Sequence, residues 1–122
     1  SWNNEVNEIK KRLSLIQEMG GKDKIKRQHD AGRSTVRERI IALLDKNSFK
    51  EIGSLTGSSE YDEDGKLKSL LAANSVIGHG KINNSPVAIY GDDFTVRGGA
   101  ADAAIWEKSV AAERFANEYR IH

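Results

Sequence analysis

Between residues 4 and 19 the apolar positions Val6, Ile9, Leu13 and Ile16 fall on one face at 3.6 residues per turn, with Glu8, Lys11, Arg12 and Glu18 elsewhere. This predicts an amphipathic helix, capped by Asn3 or Asn4 and stopped by Gly20-Gly21. A further helix is announced by its start. Thr35-Val36-Arg37-Glu38 has capping-box spacing: the threonine hydroxyl reaches the Glu38 amide, and the Glu38 carboxylate reaches back to the Thr35 amide. That helix is expected to run to about Leu44, with Val36, Ile40, Leu43 and Leu44 inward. Residues 45–48 read as a turn, and residues 49–52 as a short strand ending at Gly53.

Residues 54–73 carry neither period. Glu60-Tyr61-Asp62-Glu63-Asp64-Gly65 resembles the front of a calcium loop, but with Gly65 at position six the twelfth position is Leu71, where a bidentate carboxylate is needed. The segment is therefore expected to be an exposed acidic loop. From residue 75 the pattern turns to β. Residues 75–82 and 86–90 flank Asn83-Asn84-Ser85, a hairpin signal because asparagine tolerates positive φ. The stretch 87–100 then reads as apolar strand, polar break, second short strand and glycine turn, leading into a helix from Ala101 to about Arg120. Ile105, Ala112, Phe115 and Tyr119 are its expected buried line, widened by Trp106 and Val110.

Composition narrows the chemistry. The chain has 122 residues, enough for one ordinary domain. It has no cysteine, so disulfides, thiolate metal sites and a cysteine nucleophile are excluded. No apolar run approaches the roughly 20 residues of a membrane span, and no secretory leader is read at the N-terminus. A net charge of +1 points to no class of partner. Residues 22–39 are locally basic, but no aromatic residue interleaves the charges as a stacking platform for nucleic acid would require.

Two features carry candidate chemistry. A strand running through Gly98-Gly99 into a helix can present backbone N–H groups to a phosphate or to an oxyanion, with no Cβ in the way. The same pair can simply make a tight turn, and the residues alone leave both readings open. The turn lacks the dinucleotide spacing and the Lys-Ser ending of a P-loop. His79 lies between two glycines, but no serine or carboxylate arrangement singles it out as a base, so it is read as a surface or structural histidine.

Taken in order, Gly32-Arg33-Ser34-Thr35-Val36-Arg37-Glu38-Arg39-Ile40, Leu43-Leu44-Asp45, Ser48-Phe49-x-Glu51, Gly78-x-Gly80-x-Ile82 and Asp93-Phe94-Thr95-Val96-x-Gly98-Gly99 resemble the N-terminal part of the carboxyltransferase (β) subunit of biotin-dependent acyl-CoA carboxylases, of the propionyl-CoA carboxylase and methylmalonyl-CoA carboxyltransferase type. The resemblance implies an α/β fold: a truncated crotonase-like ββα spiral preceded by N-terminal helices, with residues 1–47 helical and residues 48–122 opening the carboxyltransferase domain. It implies transfer of a carboxyl group from carboxybiotin to the α-carbon of a short-chain acyl-CoA through an enolate held by backbone N–H groups, without a metal. The main oxyanion segment of the family lies downstream of these residues, so no catalytic residue is assigned and the fragment is expected to be inactive alone. The implied acyl-CoA site comprises Arg33, Arg37 and Arg39, tested against the CoA phosphates, with Phe94, Val96, Gly98, Gly99 and Ala100. The implied partners are acyl-CoA, a biotin carboxylase or biotin carrier subunit that brings the biotin, and further copies of the chain. The expected location is cytoplasmic, or the mitochondrial matrix in a eukaryote, with no nucleic acid or membrane partner. The competing expectation is a non-catalytic phosphate- or nucleotide-binding or subunit-assembly module.

Overall fold

The computed structural model describes residues 1–100 and 104–122. Three helices lead, α1 (Asn3–Gln17), α2 (Lys22–Asp30) and α3 (Val36–Leu43). Five strands follow: β1 (Lys50–Ile52), β2 (Gly57–Tyr61), β3 (Leu67–Ala72), β4 (Ser75–Ile82) and β5 (Ser85–Asp92). A single 3-10 turn at Arg97–Gly99 and the helix α4 (Trp106–Tyr119) complete the described chain. β1, β4 and β5 form an antiparallel sheet in that order, and β2 and β3 form a separate hairpin.

The β4–β5 hairpin forms where the alternation predicts it. Asn83 and Asn84 take φ of 49° and 68°, the left-handed pair that matches the twist of a two-residue hairpin loop. Asp45 fixes this turn from outside, its carboxylate accepting from the Asn83 and Asn84 amides at 2.9 and 2.7 Å. Register then runs from Ile82 opposite Ser85 to Ser75 opposite Asp92. One face of the sheet buries Val76 against Ile40 and Leu44 of the α3 segment, with Val36, Phe49, Ile82, Val87 and Ile89 packed around them.

α3 begins with the expected capping box. The Glu38 amide donates to Thr35 Oγ1 at 3.3 Å, and the Thr35 amide donates to Glu38 Oε2 at 2.7 Å. Leu43, expected inward, is exposed instead, because the helix stops at that residue and Leu44 turns in. On the opposite sheet face, His79 stacks on Phe115 of α4 with ring centroids 4.9 Å apart, a structural role.

Several expectations are corrected. Residues 22–30, read only as basic, form α2, which buries no side chain. Residues 54–73 are not a loop but the β2–β3 hairpin. Asp62 makes its turn, Oδ1 accepting from the Asp64 and Lys66 amides at 3.0 and 2.9 Å. Among the described residues no second strand follows β5. The polar residues Asp93 and Thr95 bond to each other and curl the chain into the 3-10 turn. α4 starts at Trp106, since Ile105 is extended at φ −110° and ψ 101°; the expected start at Ala101 lies outside the described residues. Its buried residues are Lys108 and Ala112, while Trp106 and Tyr119 are exposed. α1 buries Ile16 and leaves Val6 and Ile9 uncovered. Its stop uses left-handed Met19 and Gly21, whereas Gly20 serves close approach: a Cβ there would lie 1.8 Å from the Thr95 carbonyl oxygen.

Candidate functional site

The segment 93–100 is held by a chain of polar contacts. Asp93 is fully buried, its amide donates to the Asn74 carbonyl at 2.7 Å, and Asn74 Nδ2 donates to the Ala100 carbonyl at 2.8 Å. Asp93 Oδ1 accepts from the Thr95 amide at 2.9 Å and from Thr95 Oγ1 at 2.6 Å. Thr95 Oγ1 in turn accepts from the Gly20 amide at 3.0 Å, which ties the end of α1 to the segment. A side-chain acceptor two residues before the amide it serves is an Asx turn. With both ends pinned, the segment projects Phe94 outward, 62% exposed.

Phe94 forms part of the wall of a cleft of about 590 Å³ between the start of α3 and the end of β5. Arg33, Arg39, Thr95 and Gly98 line it, with Asp92 and Asp93 on the β5 side. A second cleft of about 350 Å³, bounded by Lys24, Arg27 and Arg33, shares Phe94, Thr95 and Gly98. The positive end of the α3 dipole borders the first cleft. Among the described residues, Lys24, Arg27, Arg33 and Arg39 make no ion pair, whereas Arg12, Lys26 and Arg37 do.

Of the eight residues expected at a site, the cleft therefore gathers Arg33, Arg39, Phe94 and Gly98. Arg37 points elsewhere. Its Nη1 and Nη2 donate to the two Glu51 carboxylate oxygens at 3.0 and 2.7 Å, joining α3 to β1. Val96 is 1% exposed and belongs to the core. The Gly99 and Ala100 amides donate to the Val96 and Arg97 carbonyls at 3.0 and 3.1 Å, so the glycine turn keeps these two donors for itself. Lys24 and Arg27 were legible only as part of a basic run; their i, i+3 spacing becomes a shared face once α2 is a helix.

Local electrostatics follow from the contacts. Glu38 is held below the usual carboxylate range, first by the Thr35 amide and then by His29, whose Nε2 lies 2.9 Å from Oε1. Burial raises the Tyr90 phenol, and its hydrogen bond to Asp92 raises it further. Burial lowers the Lys108 ammonium, which donates to the Ser75 carbonyl at 2.7 Å, while the Glu51 charge partly offsets the shift. Among the described residues there is no cluster of three or more His, Cys, Asp or Glu suited to a metal, and no helix long and apolar enough to cross a membrane.

The fold is thus an α/β domain in which an antiparallel sheet is flanked by helices and, among the described residues, the Arg33 and Arg39 that line the cleft at the end of its hairpin make no ion pair. Residues 27–121 match the family model described as the carboxyl transferase domain, and the chain belongs to that family. The carboxyltransferase subunit of propionyl-CoA carboxylase from Haloferax mediterranei is 33% identical over 104 residues, 84% of this chain and 20% of that protein. The biotin-dependent acetyl-/propionyl-coenzyme A carboxylase beta5 subunit of Mycobacterium tuberculosis is 35% identical over 96 residues, 79% of this chain and 18% of that one. The crystal structure of the transcarboxylase 12S hexamer with methylmalonyl-coenzyme A bound superposes with a TM-score of 0.80 at 29% identity, over 98% of this chain and 23% of that one. The fold is thus the crotonase-like one expected. The chain spans about a fifth of the length of these relatives.

Proposed function

We propose that the chain supplies part of the acyl-CoA site of a carboxyltransferase that moves a carboxyl group onto the α-carbon of a short-chain acyl-CoA through an enolate. The observation that carries this reading is the cleft, which brings Arg33 and Arg39 together with Phe94 and Gly98 from a distant segment, in a chain of the carboxyl transferase family. Arg33 and Arg39 neutralise phosphate oxygens, and Gly98 leaves the backbone open to close approach. The enolate oxygen needs N–H donors other than those of Gly99 and Ala100, which are already engaged, so no catalytic residue is assigned here. Biotin, brought by a carrier or biotin carboxylase subunit, would supply the carboxyl group. The cleft's guanidiniums and hydroxyls suit a phosphorylated ligand, and no biotin contact is assigned to them. The reading keeps residues 1–47 as the helical lead-in and residues 48–122 as the start of the carboxyltransferase domain, in a cytoplasmic or matrix enzyme that self-associates.

Calorimetric titration of the chain with propionyl-CoA tests the reading. Saturable binding that free CoA displaces is expected. A folded chain that takes up no propionyl-CoA overturns it.

A second reading, a subunit-assembly module, is favoured by the uncovered Trp2, Val6 and Ile9 of the α1 segment. In that case Val6→Ser with Ile9→Ser lowers the mass measured by light scattering; an unchanged mass removes α1 from any interface.

A further inference from the structure

The end of α1 is bonded to the segment that carries Phe94, although no residue from Asn3 to Gly21 lines either cleft. At the helix stop, the Met19 amide donates to the Ile16 carbonyl at 3.1 Å and the Gly21 amide to the Glu18 carbonyl at 2.8 Å. The Gly20 amide between them turns away from the helix and donates to Thr95 Oγ1 at 3.0 Å. Glycine is required there by close approach and not by conformation. Its φ is not positive, but a Cβ would overlap the Thr95 carbonyl group.

Thr95 passes this restraint on. Its hydroxyl spends its one proton on Asp93 Oδ1 at 2.6 Å, and the oxygen accepts from Gly20. Both Thr95 and Asp93 are buried, so water does not compete for these bonds. Phe94 therefore stands between two residues held by different parts of the fold. Asp93, before it, is tied through its amide to the Asn74 carbonyl at the start of β4. Thr95, after it, is tied to the end of α1, which is itself anchored by buried Ile16 and Met19.

We infer that Gly20 and Thr95 are positioning residues: through their hydrogen bond the end of α1 sets the direction of Phe94 in the cleft wall before a ligand arrives. This rests on the acyl-CoA reading above and gives α1 a part in that site. The gain is preorganisation. A Phe94 segment released from α1 has to be ordered at each binding event, which costs up to about tenfold in affinity for one such side chain.

The test labels the full chain with fluorophenylalanine, which gives separate fluorine resonances for Phe49, Phe94 and Phe115, and titrates it with propionyl-CoA by calorimetry. Two variants open the contact in different ways. Gly20→Ala wedges it apart without straining φ, and Thr95→Val keeps the side-chain volume but removes the hydroxyl. In each, the Phe94 resonance is expected to shift or broaden while those of Phe49 and Phe115 stay, and propionyl-CoA to bind about tenfold more weakly. Thr95→Ser keeps Oγ1 and is expected to restore both readouts relative to Thr95→Val. If one variant does not fold, the other decides. The parent chain supplies a further measurement: coupling between contact and site is reciprocal, so saturating propionyl-CoA should slow exchange of the Gly20 amide. An unmoved Phe94 resonance, an unchanged affinity in a folded variant, or unchanged Gly20 exchange overturns this inference and leaves the acyl-CoA reading standing. A folded parent chain that takes up no propionyl-CoA overturns both.

Discussion

Replacing Arg37 with alanine separates a structural arginine from a binding one. In the folded chain the guanidinium makes two parallel bonds to Glu51, at 3.0 and 2.7 Å, and the side chains are 15% and 12% exposed. Removing one member of a buried pair strands the other charge, at a cost of roughly 3–5 kcal/mol. Two features place this pair at the low end. Lys108 feels the Glu51 charge and remains as a substitute cation, and the buried Arg37 Nε has no hydrogen-bond partner to lose. The expected loss is thus about 3 kcal/mol, or a fall in melting midpoint on the order of 10 °C for a chain of this length. Urea unfolding followed by far-UV circular dichroism measures it, and a cycle with Glu51→Gln isolates the pair. A loss under about 0.5 kcal/mol, the range of ordinary surface substitutions, would refute the argument. So would strictly additive single losses, since contacting residues should couple. Propionyl-CoA binding, corrected for the folded fraction, should keep its salt dependence in Arg37→Ala.

Other perturbations probe the remaining elements. Arg39→Ala, at an exposed unpaired cation, should leave stability within about 0.5 kcal/mol and weaken propionyl-CoA binding less as salt rises, which calorimetry at two ionic strengths reads. Thr35→Ala removes the α3 cap and should destabilise by about 1 kcal/mol in urea. Glu38 has a folded pKa below its unfolded value, so its stabilisation is present above the ordinary carboxylate range and is lost as pH falls through the depressed folded value; Glu38→Gln should remove that part of the acid limb of unfolding. Lys108 has a folded pKa below 10.5, so the unfolded chain binds more protons between the two values and stability gains from this group as pH rises through that window. Lys108→Met should abolish the gain, seen as the difference between the two stability–pH curves.

What was legible in the sequence was local. The Thr35–Glu38 box and the Asn83-Asn84 turn are each set by residues within a few positions, and both form as expected. The β2–β3 hairpin was hidden because Ser58, Ser59 and Glu60 are all exposed, which leaves no inward–outward alternation to read. Its turn was also masked by a likeness to a calcium loop, although Asp62 spends its carboxylate on backbone amides. α2 gave no apolar stripe because it buries no side chain. Of the site, the basic run and the Asp93–Gly99 motif were visible, but not which cations face it. Arg37 is taken up by Glu51 fourteen positions away on a different element, and Arg39, two residues along the same helix, is not. That sorting depends on how α3 lies across the sheet, which no single stretch encodes.

The contact between Gly20 and Thr95 has a consequence for the order of folding. It spans 75 positions, whereas the capping box closes over three and the asparagine turn over two. Closing a long loop loses more chain entropy than closing a short one, and non-local contacts set the slow steps of folding. Local helices and hairpins can assemble before the first helix meets the segment that carries Phe94. On this topology the Gly20–Thr95 contact is expected to form after the capping box and the asparagine turn, so the position of the Phe94 segment against α1 depends on a late, non-local step.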